Sequence, residues 1–246
     1  MKKRIDHLIV EKFNLTRSKA IDYIKRGYVY HHNEKVSKPS LLIDVDSLIL
    51  LKPSFLYVSK GGYKLKKIID ETGYNFTNKV VVDIGASTGG FTDFCLQNGA
   101  IKVYSVDVGS DLLDPKLKKD PRVVIYDNTN VKNLRREMFN ENIDVIVADL
   151  SFISLSGVFK NISSIANQNT TMYLLIKPQF ELGKEIASTY KGIIRNEARR
   201  KEAINLVYQV INQNGYLISK IVETSVFDEK KQNIEYMIEV KYANQK

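Results

Sequence analysis

Apolar residues in the first quarter of the chain follow two helical patterns and then two short extended runs. Ile5, Leu8, Ile9 and Phe13 recur at helical spacing, and Thr16 is suited to cap a second helix whose buried positions are Ala20, Ile21 and Ile24. Gly27 suits the end of that helix. Residues 28–30 and 47–51 are typical of strands, with a turn at 32–34. The pattern predicts a small α+β unit.

From about residue 79 the pattern changes to buried apolar runs that alternate with helical segments. The predicted strands are 80–84, 103–106, 123–125, 145–148, 172–176, 216–222 and 234–240. The predicted helices are 91–98, 131–139, 155–166 and 196–212. Alternating β and α elements predict an α/β fold with a mostly parallel, seven-stranded sheet that helices cover on both faces.

The two patterns divide the chain into two predicted domains. Residues 1–59 form the small domain, 60–63 a linker and 64–246 the larger α/β domain. The chain has 246 residues, of which 43% are hydrophobic and 26% charged, as in an ordinary globular protein. Neither value indicates disorder.

Positive charge is concentrated in the small domain. The net charge of the chain is +9, and residues 1–60 contribute +6 of it. A phosphate-rich nucleic acid is the first candidate partner for such a domain, and an anionic membrane surface is the second. The candidate RNA-binding cations lie on or near the two predicted helices and are Arg4, Arg17, Lys19, Lys25 and Arg26.

The composition also limits the compartment and the metal chemistry. Cys95 is the only cysteine, so no disulfide can form within the chain. The charged start does not resemble a signal peptide, and there is no apolar run of about 18 residues. His7, His31 and His32 lack the partners of a metal site. We therefore expect a cytoplasmic protein with no membrane span and no metal.

A glycine-rich turn follows the first predicted strand of the larger domain. Its spacing, Gly85-x-x-x-Gly89-Gly90, matches neither the dinucleotide fingerprint nor the P-loop. Asp83 ends that strand, and Asp107 ends the next strand, where a carboxylate can accept hydrogen bonds from both ribose hydroxyls of an adenosine. The arrangement favours S-adenosylmethionine as cofactor. The candidate binding residues are Asp83, Gly85, Ala86, Ser87, Gly89, Gly90, Phe91, Asp107, Asp127, Asn128 and Asp149.

Charged residues also follow the later strands of the predicted sheet. Asp149 and Lys177 follow the fourth and fifth strands, Lys64 precedes the sheet, and Glu235 lies in the last strand. A lysine can take the proton of a ribose hydroxyl that attacks a methyl sulfonium. Lys64 would disfavour the charged form of Lys177, while the two carboxylates would favour it. The pattern alone does not decide between these effects.

These motifs together resemble a known family. The segment 16–20 and the run Lys25-Arg26-Gly27-Tyr28-Val29 resemble the S4 RNA-binding domain. The remainder resembles FtsJ-type ribose 2′-O-methyltransferases, and the combination resembles the TlyA family, also named hemolysin A. The resemblance is carried by 59–65, 85–92, 148–155, 177–181 and 191–195. It implies a Rossmann-like class I methyltransferase domain, 2′-O-methylation of cytidine in 16S ribosomal RNA, 23S ribosomal RNA or both, and Lys64, Asp149, Lys177 and Glu235 as a catalytic tetrad. Ribosomal RNA or ribosomal subunits would be the partners of a monomeric enzyme.

Two other classes of function stay open at this point. The hemolysin name suggests a membrane-active protein, although the sequence supplies no strongly amphipathic apolar helix. An RNA-binding protein with an inactive methyltransferase fold is the other alternative. Base N-methylation is disfavoured because Asp149-Leu150-Ser151-Phe152 lacks prolines. The position of Cys95 is typical of a core residue and not of a nucleophile.

Overall fold

A computed structural model of the chain describes residues 2–25, 27–32, 34–51, 56–190, 192–224 and 232–243. It divides into two compact units, Met1–Leu56 and Tyr57–Lys246. Of the predicted site residues, Arg26 lies outside the described ranges.

The N-terminal unit joins two helices to small antiparallel sheets. Its elements are β1 (Lys2–Arg4), α1 (Ile5–Phe13), α2 (Arg17–Lys25), β2 (Val29–His31), β3 (Glu34–Lys35), β4 (Leu42–Asp44) and β5 (Ile49–Leu51). Strand β1 pairs with β4, and β2 lies between β3 and β5. Thr16 Oγ1 accepts a hydrogen bond from the Lys19 amide at 3.3 Å, as expected for a cap. The two predicted helices are confirmed, while β1, β3 and β4 were not predicted.

The C-terminal unit carries the alternating pattern. Its helices are α3 (Lys60–Thr72), α4 (Gly90–Gln97), α5 (Pro115–Lys118), α6 (Leu155–Ser163), α7 (Pro178–Glu181), α8 (Gly183–Thr189) and α9 (Glu197–Gln213). Its strands are β6 (Val80–Ile84), β7 (Lys102–Val106), β8 (Val123–Tyr126), β9 (Val145–Ala148), β10 (Thr171–Ile176), β11 (Tyr216–Glu223) and β12 (Tyr236–Tyr242).

The seven strands form one sheet in the order β11-β12-β10-β9-β6-β7-β8. The pairs from β10 to β8 are parallel, and β12 runs antiparallel to both of its neighbours. From β6 the chain continues to β7 and β8 on one side of the sheet, and then crosses to β9 on the other side of β6. This change of direction is a topological switch point, and the carboxyl ends of β6, β7 and β9 open into a crevice there. The predicted α/β, Rossmann-like fold with a seven-stranded, mostly parallel sheet is confirmed.

Separate apolar clusters bury the two faces of the sheet. One contains Phe159 and Ile162 of α6 and Val207 and Ile211 of α9. The other contains Leu65 and Ile68 of α3 with residues of α4. The central strands β6, β9 and β10 consist of buried residues throughout, because a parallel sheet is covered on both faces.

Three sequence predictions are corrected by the structure. Residues 60–63, predicted as a linker, form the first turn of α3, where Ser59 accepts a hydrogen bond from the Gly61 amide. The predicted helix 131–139 consists of two single 3-10 turns, Val131–Asn133 and Arg136–Met138, because an extended link between them lets the buried residues at both ends reach the core. The last strand begins at Tyr236, so Glu235 precedes it.

Candidate active site

The glycine turn after β6 brings the backbone of two strand ends close together. Gly85 has a φ of +79°, and a Cβ atom there would lie 2.6 Å from the carbonyl oxygen of Asp149. The Gly85 amide donates to the Val106 carbonyl oxygen at 2.8 Å. Glycine is required at this position by both the backbone conformation and the close approach.

A cleft of about 480 Å³, here named the first cleft, opens beside this turn. Its polar residues include Gly85, Ser87, Asp107 and Asp149. Its apolar walls come from Ile84, Val106, Val108, Leu112, Val131, Leu150, Phe152 and Ile153. Asp107 accepts hydrogen bonds from the Ser87 amide at 2.7 Å and the Gly109 amide at 2.8 Å, so its carboxylate fixes the rim of the cleft.

Several residues predicted to contact a cofactor lie beneath the turn instead of lining the first cleft. Asp83 is 1% exposed, and Gly90 and Phe91 are buried at the start of α4. A Cβ atom on Gly89 would meet Leu117, and Ala86 is also buried. These five residues pack closely around the turn, and their contact with a cofactor stays a prediction.

Asp83 is the ionisable residue of this group, and its pKa is strongly shifted. Its Oδ2 accepts hydrogen bonds from the Thr92 amide at 2.9 Å and the Thr92 hydroxyl at 2.7 Å. Its Oδ1 is buried and has no hydrogen-bond partner within the described part of the chain. Burial raises the pKa of Asp83 to about 7, although the two bonds from Thr92 oppose the shift.

The residues after β8 also differ from the prediction. Asp127 Oδ2 accepts a hydrogen bond from the Asp111 amide at 2.9 Å, and the Asn128 amide donates to the Gly109 carbonyl at 3.0 Å. These contacts join the loops that follow β7 and β8. The first cleft is lined instead by the next residues along the chain, Thr129 and Asn130. Contact of Asp127 and Asn128 with a cofactor stays a prediction.

The four residues predicted to be catalytic converge at the edge of the first cleft, and we name them the lysine–carboxylate tetrad. Lys64 Nζ lies 2.7 Å from Glu235 Oε2 and 3.4 Å from Asp149 Oδ2. Lys177 Nζ lies 2.5 Å from Asp149 Oδ1 as an ion pair without hydrogen-bond alignment. Its hydrogen bond goes to Ser151 Oγ at 2.7 Å. Asp149 thus bridges the two lysines.

Four separate elements bring the tetrad together. Lys64 lies on α3, Asp149 and Lys177 directly follow β9 and β10, and Glu235 directly precedes β12. Since β12 is antiparallel to β10, its first residue meets the carboxyl end of β10. The Asp149 amide donates to the Ile84 carbonyl at 3.1 Å, which fixes the start of this loop.

The tetrad is partly shielded from water. The side chain of Lys177 is 9% exposed, and those of Lys64, Asp149 and Glu235 are 19–22% exposed. Burial would lower the pKa of Lys64, but Asp149 and Glu235 outweigh it and raise that pKa above its ordinary value. Lys64 is therefore held as an ammonium ion.

A second cleft of about 540 Å³ lies on the other side of Phe152, which lines both cavities. The Phe152 ring is 90% exposed and lies 5.4 Å from the ring of Phe180. Lys177 Nζ lies 5.9 Å from the centre of the Phe180 ring. Sequence reasoning gave no role to Ser151 or to either phenylalanine, although all three lie in the quoted motifs.

The predicted RNA-binding cations of the N-terminal unit fall into two groups. Arg4 makes two 3.0 Å hydrogen bonds to the buried carboxylate of Asp6, and Arg17 Nη2 lies 3.6 Å from the same carboxylate. These bonds lower the pKa of Asp6. Lys19 and Lys25 are exposed on α2. The structure therefore ties Arg4 to the fold, while the Arg17 side chain remains 61% exposed.

Within the described ranges, no helix combines the length and apolar character needed to cross a bilayer. In those ranges the His, Cys, Asp and Glu side chains also form no group of three that could bind a metal ion.

Comparison with known proteins finds relatives of the same fold. The FtsJ-like methyltransferase model matches residues 57–242. Hemolysin A of Brachyspira hyodysenteriae is 40% identical over 239 residues, covering 95% of this chain and 98% of the relative. The 16S/23S rRNA (cytidine-2′-O)-methyltransferase TlyA of Mycobacterium tuberculosis is 32% identical over 238 residues, covering 96% and 88%.

A solved structure also spans both units. The hemolysin-named protein of Streptococcus thermophilus is 31% identical, with a TM-score of 0.77, and the match covers 99% of this chain and 89% of that one. The family match, the near full-length relatives and the convergent tetrad lead to one assignment. The chain belongs to the FtsJ-like methyltransferase family, among relatives that carry the names Hemolysin A and TlyA.

Proposed function

We propose that this protein transfers the methyl group of S-adenosylmethionine to the 2′-hydroxyl of cytidine in ribosomal RNA. The observation that carries the proposal is the convergence of two lysines and two carboxylates beside the first cleft. The Mycobacterium tuberculosis relative is named for this reaction, and the similarity spans nearly all of both chains.

The first cleft suits an adenosine-bearing cofactor. It lies at the carboxyl ends of β6, β7 and β9, has Asp107 and Asp149 on its rim, and has apolar walls for a purine ring. Gly85, Ser87, Asp107 and Asp149 would hold the cofactor. Thr129 and Asn130, which also line the first cleft, would lie near its adenine ring. When bound, S-adenosylmethionine supplies an electrophilic methyl group on a sulfonium.

The tetrad residues have different proposed roles. Lys177 acts as the base in its neutral amine form, after its own ammonium proton has passed to solvent. Its Nζ, held between Asp149 and Ser151, then accepts the hydroxyl proton as the ribose oxygen attacks the methyl group. Lys64 remains charged and balances the two carboxylates. Asp149 orients both lysines from one position. The remaining acceleration comes from holding the hydroxyl and the methyl group in line.

The N-terminal unit is proposed to hold the RNA. Its excess of positive charge matches a phosphate backbone, and Arg17, Lys19 and Lys25 present exposed cations.

Ribosomal RNA as the substrate makes the cytoplasm the proposed location of the protein. We also propose that a single chain is the active unit, since all four tetrad residues come from one chain.

Methyl transfer to separated ribosomal subunits tests the proposal. Tritium from labelled S-adenosylmethionine should enter rRNA at a cytidine 2′-oxygen when nucleotides are mapped. Lys177→Ala should lower kcat by about 10²–10⁴, with cofactor affinity nearly unchanged. Lys66→Ala removes an exposed lysine of α3 that pairs with Asp70 and serves as the control.

Two outcomes would contradict the proposal. Full turnover by Lys177→Ala would show that methyl transfer does not need Lys177 as its base. Lack of turnover by the wild-type protein on any subunit, with cofactor bound, would favour an inactive methyltransferase fold. The hemolysin name of some relatives motivates a second assay, in which the protein is added to dye-loaded liposomes. We expect no leakage.

A further inference from the structure

Glu181 is a buried carboxylate that the mechanism above does not use. It is 9% exposed and is the last residue of α7. Its Oε1 accepts a hydrogen bond from the Leu155 amide at 2.6 Å. Its Oε2 accepts from the Ser156 amide at 3.2 Å and from the Ser156 hydroxyl at 2.8 Å. All the partners are at the start of α6.

The two segments that Glu181 joins carry two of the four tetrad residues, Asp149 and Lys177. Asp149, Ser151 and Phe152 lie in the loop between β9 and α6. Lys177 precedes α7 and lies four residues before Glu181, whose own amide donates to the Lys177 carbonyl at 3.2 Å. The Glu181 carboxylate therefore spans the same gap that the Lys177 side chain crosses to reach Asp149 and Ser151.

We propose that Glu181 is a positioning residue for methyl transfer, which fixes the loop after β9 against the segment after β10 and so sets the distance between Asp149 and Lys177. The inference rests on the proposed function only where its effect is measured as turnover. Strand pairing aligns β9 with β10 only as far as Ala148 and Leu174, and the Glu181 carboxylate connects the two segments beyond those residues.

The contacts require a carboxylate rather than an amide. The amides at the start of a helix lack partners within the helix, and two acceptor oxygens satisfy those of Leu155 and Ser156 together. The amide nitrogen of a glutamine would face one of these donors. Burial raises the pKa of Glu181, and the hydrogen bonds from Ser156 and Leu155 oppose that rise because they favour the ionised form.

Glu181→Gln is the test, with labelled S-adenosylmethionine and ribosomal subunits as substrates. We expect kcat to fall by about 10–100-fold, because a displacement of about 1 Å is enough for a loss of that size. The cofactor Kd should weaken by less than kcat falls, by about tenfold or less, since Asp149, Ser151 and Phe152 line the first cleft together with Gly85, Ser87 and Asp107, which Glu181 does not contact.

Glu239→Gln controls for loss of stability alone. Glu239 is 4% exposed and lies in β12, where it accepts hydrogen bonds from Tyr173 and Ser219 and pairs with Lys241 at 2.9 Å. Both variants should lower Tm by a few degrees, about 2–8 °C. Only Glu181→Gln should lower kcat. Ser156→Ala, which keeps both amide bonds, should change kcat by less than about threefold.

Amide hydrogen exchange gives a readout that does not depend on turnover. Exchange of the segment 149–154 should rise in Glu181→Gln and stay at the wild-type level in Glu239→Gln. Unchanged exchange in that segment would overturn the inference, as would a normal kcat in a variant whose Tm has fallen. If the wild-type protein does not methylate rRNA, the proposed function fails, and the exchange result still decides whether Glu181 holds the loop.

Discussion

At the scale of single residues, two aspartates near the active site differ in burial and in the groups that contact their carboxylates. Asp149 is partly exposed and contacts two lysines, whereas Asp83 is 1% exposed and has two hydrogen bonds from Thr92 to one oxygen only. Desolvation therefore dominates at Asp83 and raises its pKa to about 7. The two acids lie at the ends of adjacent strands, and only one of them lines the first cleft.

The raised pKa of Asp83 predicts a specific pH dependence of stability. The unfolded chain ionises this carboxyl near pH 4, whereas the folded chain holds the proton until about pH 7. The wild-type free energy of unfolding should therefore fall as pH rises from about 4 to 7, by at most about 4 kcal/mol from this group. Asp83→Asn removes the titration, so its stability should fall less over the same range.

Urea unfolding at several pH values measures this difference. Asp70→Asn, at an exposed position of α3, should leave the wild-type pH profile unchanged and serves as the control. Parallel profiles for wild type and Asp83→Asn would show that Asp83 ionises normally in the folded chain.

At the scale of elements, the turn from β6 to α4 and the start of α3 shape the site. The turn passes so close to the end of β9 that Gly85 cannot carry a side chain. Helix α3 packs its buried residues Leu65 and Ile68 against the sheet, which directs Lys64 toward Asp149 and Glu235. A local backbone requirement at each place thus fixes the distance between residues far apart in the chain.

Gly85→Ala should damage both folding and cofactor binding. The positive φ costs about 1–2 kcal/mol, and the new Cβ also displaces the Asp149 carbonyl. We expect a loss of more than about 2 kcal/mol in the free energy of unfolding. Because the displaced backbone borders the first cleft, affinity for S-adenosylmethionine should fall by about tenfold or more, measured by titration calorimetry.

Gly73→Ala is the matched control. Gly73 ends α3 with a φ of +67°, but a Cβ atom there would meet nothing within 4 Å. Only the backbone cost of about 1–2 kcal/mol should appear, with cofactor affinity unchanged. Equal losses of affinity in the two variants would exclude close approach at Gly85 as the cause.

At the scale of the whole molecule, charge and chemistry belong to different units. The N-terminal quarter carries most of the net positive charge, while the tetrad and the first cleft belong to residues 57–246. Binding of RNA and transfer of the methyl group should therefore be separable by mutation.

Arg17→Ala tests that separation. The Arg17 side chain is 61% exposed, and its loss should weaken rRNA binding by about three- to tenfold and reduce the slope of log K against log salt by about 1. Affinity for S-adenosylmethionine should not change. Filter binding at several salt concentrations gives both numbers.

Lys201→Ala changes the net charge by the same amount on the exposed face of α9 and should bind rRNA like the wild type. Identical salt slopes for Arg17→Ala and the wild type would show that Arg17 does not contact a phosphate.

The sequence alone determined the seven strands of the larger sheet, the helices α4, α6 and α9, and the positions of Asp149 and Lys177 at strand ends. Fully apolar runs such as Val145–Ala148 mark buried strands, because a strand covered on both faces needs no alternation. The β–α alternation then places the carboxyl ends of the parallel strands at one edge, which is why Asp149 and Lys177 could be predicted to meet.

Only the tertiary structure decided what each of these residues contacts. Helix α3 was missed because Lys60-Gly61-Gly62 has the composition of a turn, and it forms because Leu65 and Ile68 pack on the sheet. The position of Thr129 and Asn130 on the first cleft, and the reach of Glu181 to α6, depend on loops and on partners 26 residues away. Local propensity determines the elements, whereas contacts between distant segments depend on packing that no local pattern encodes.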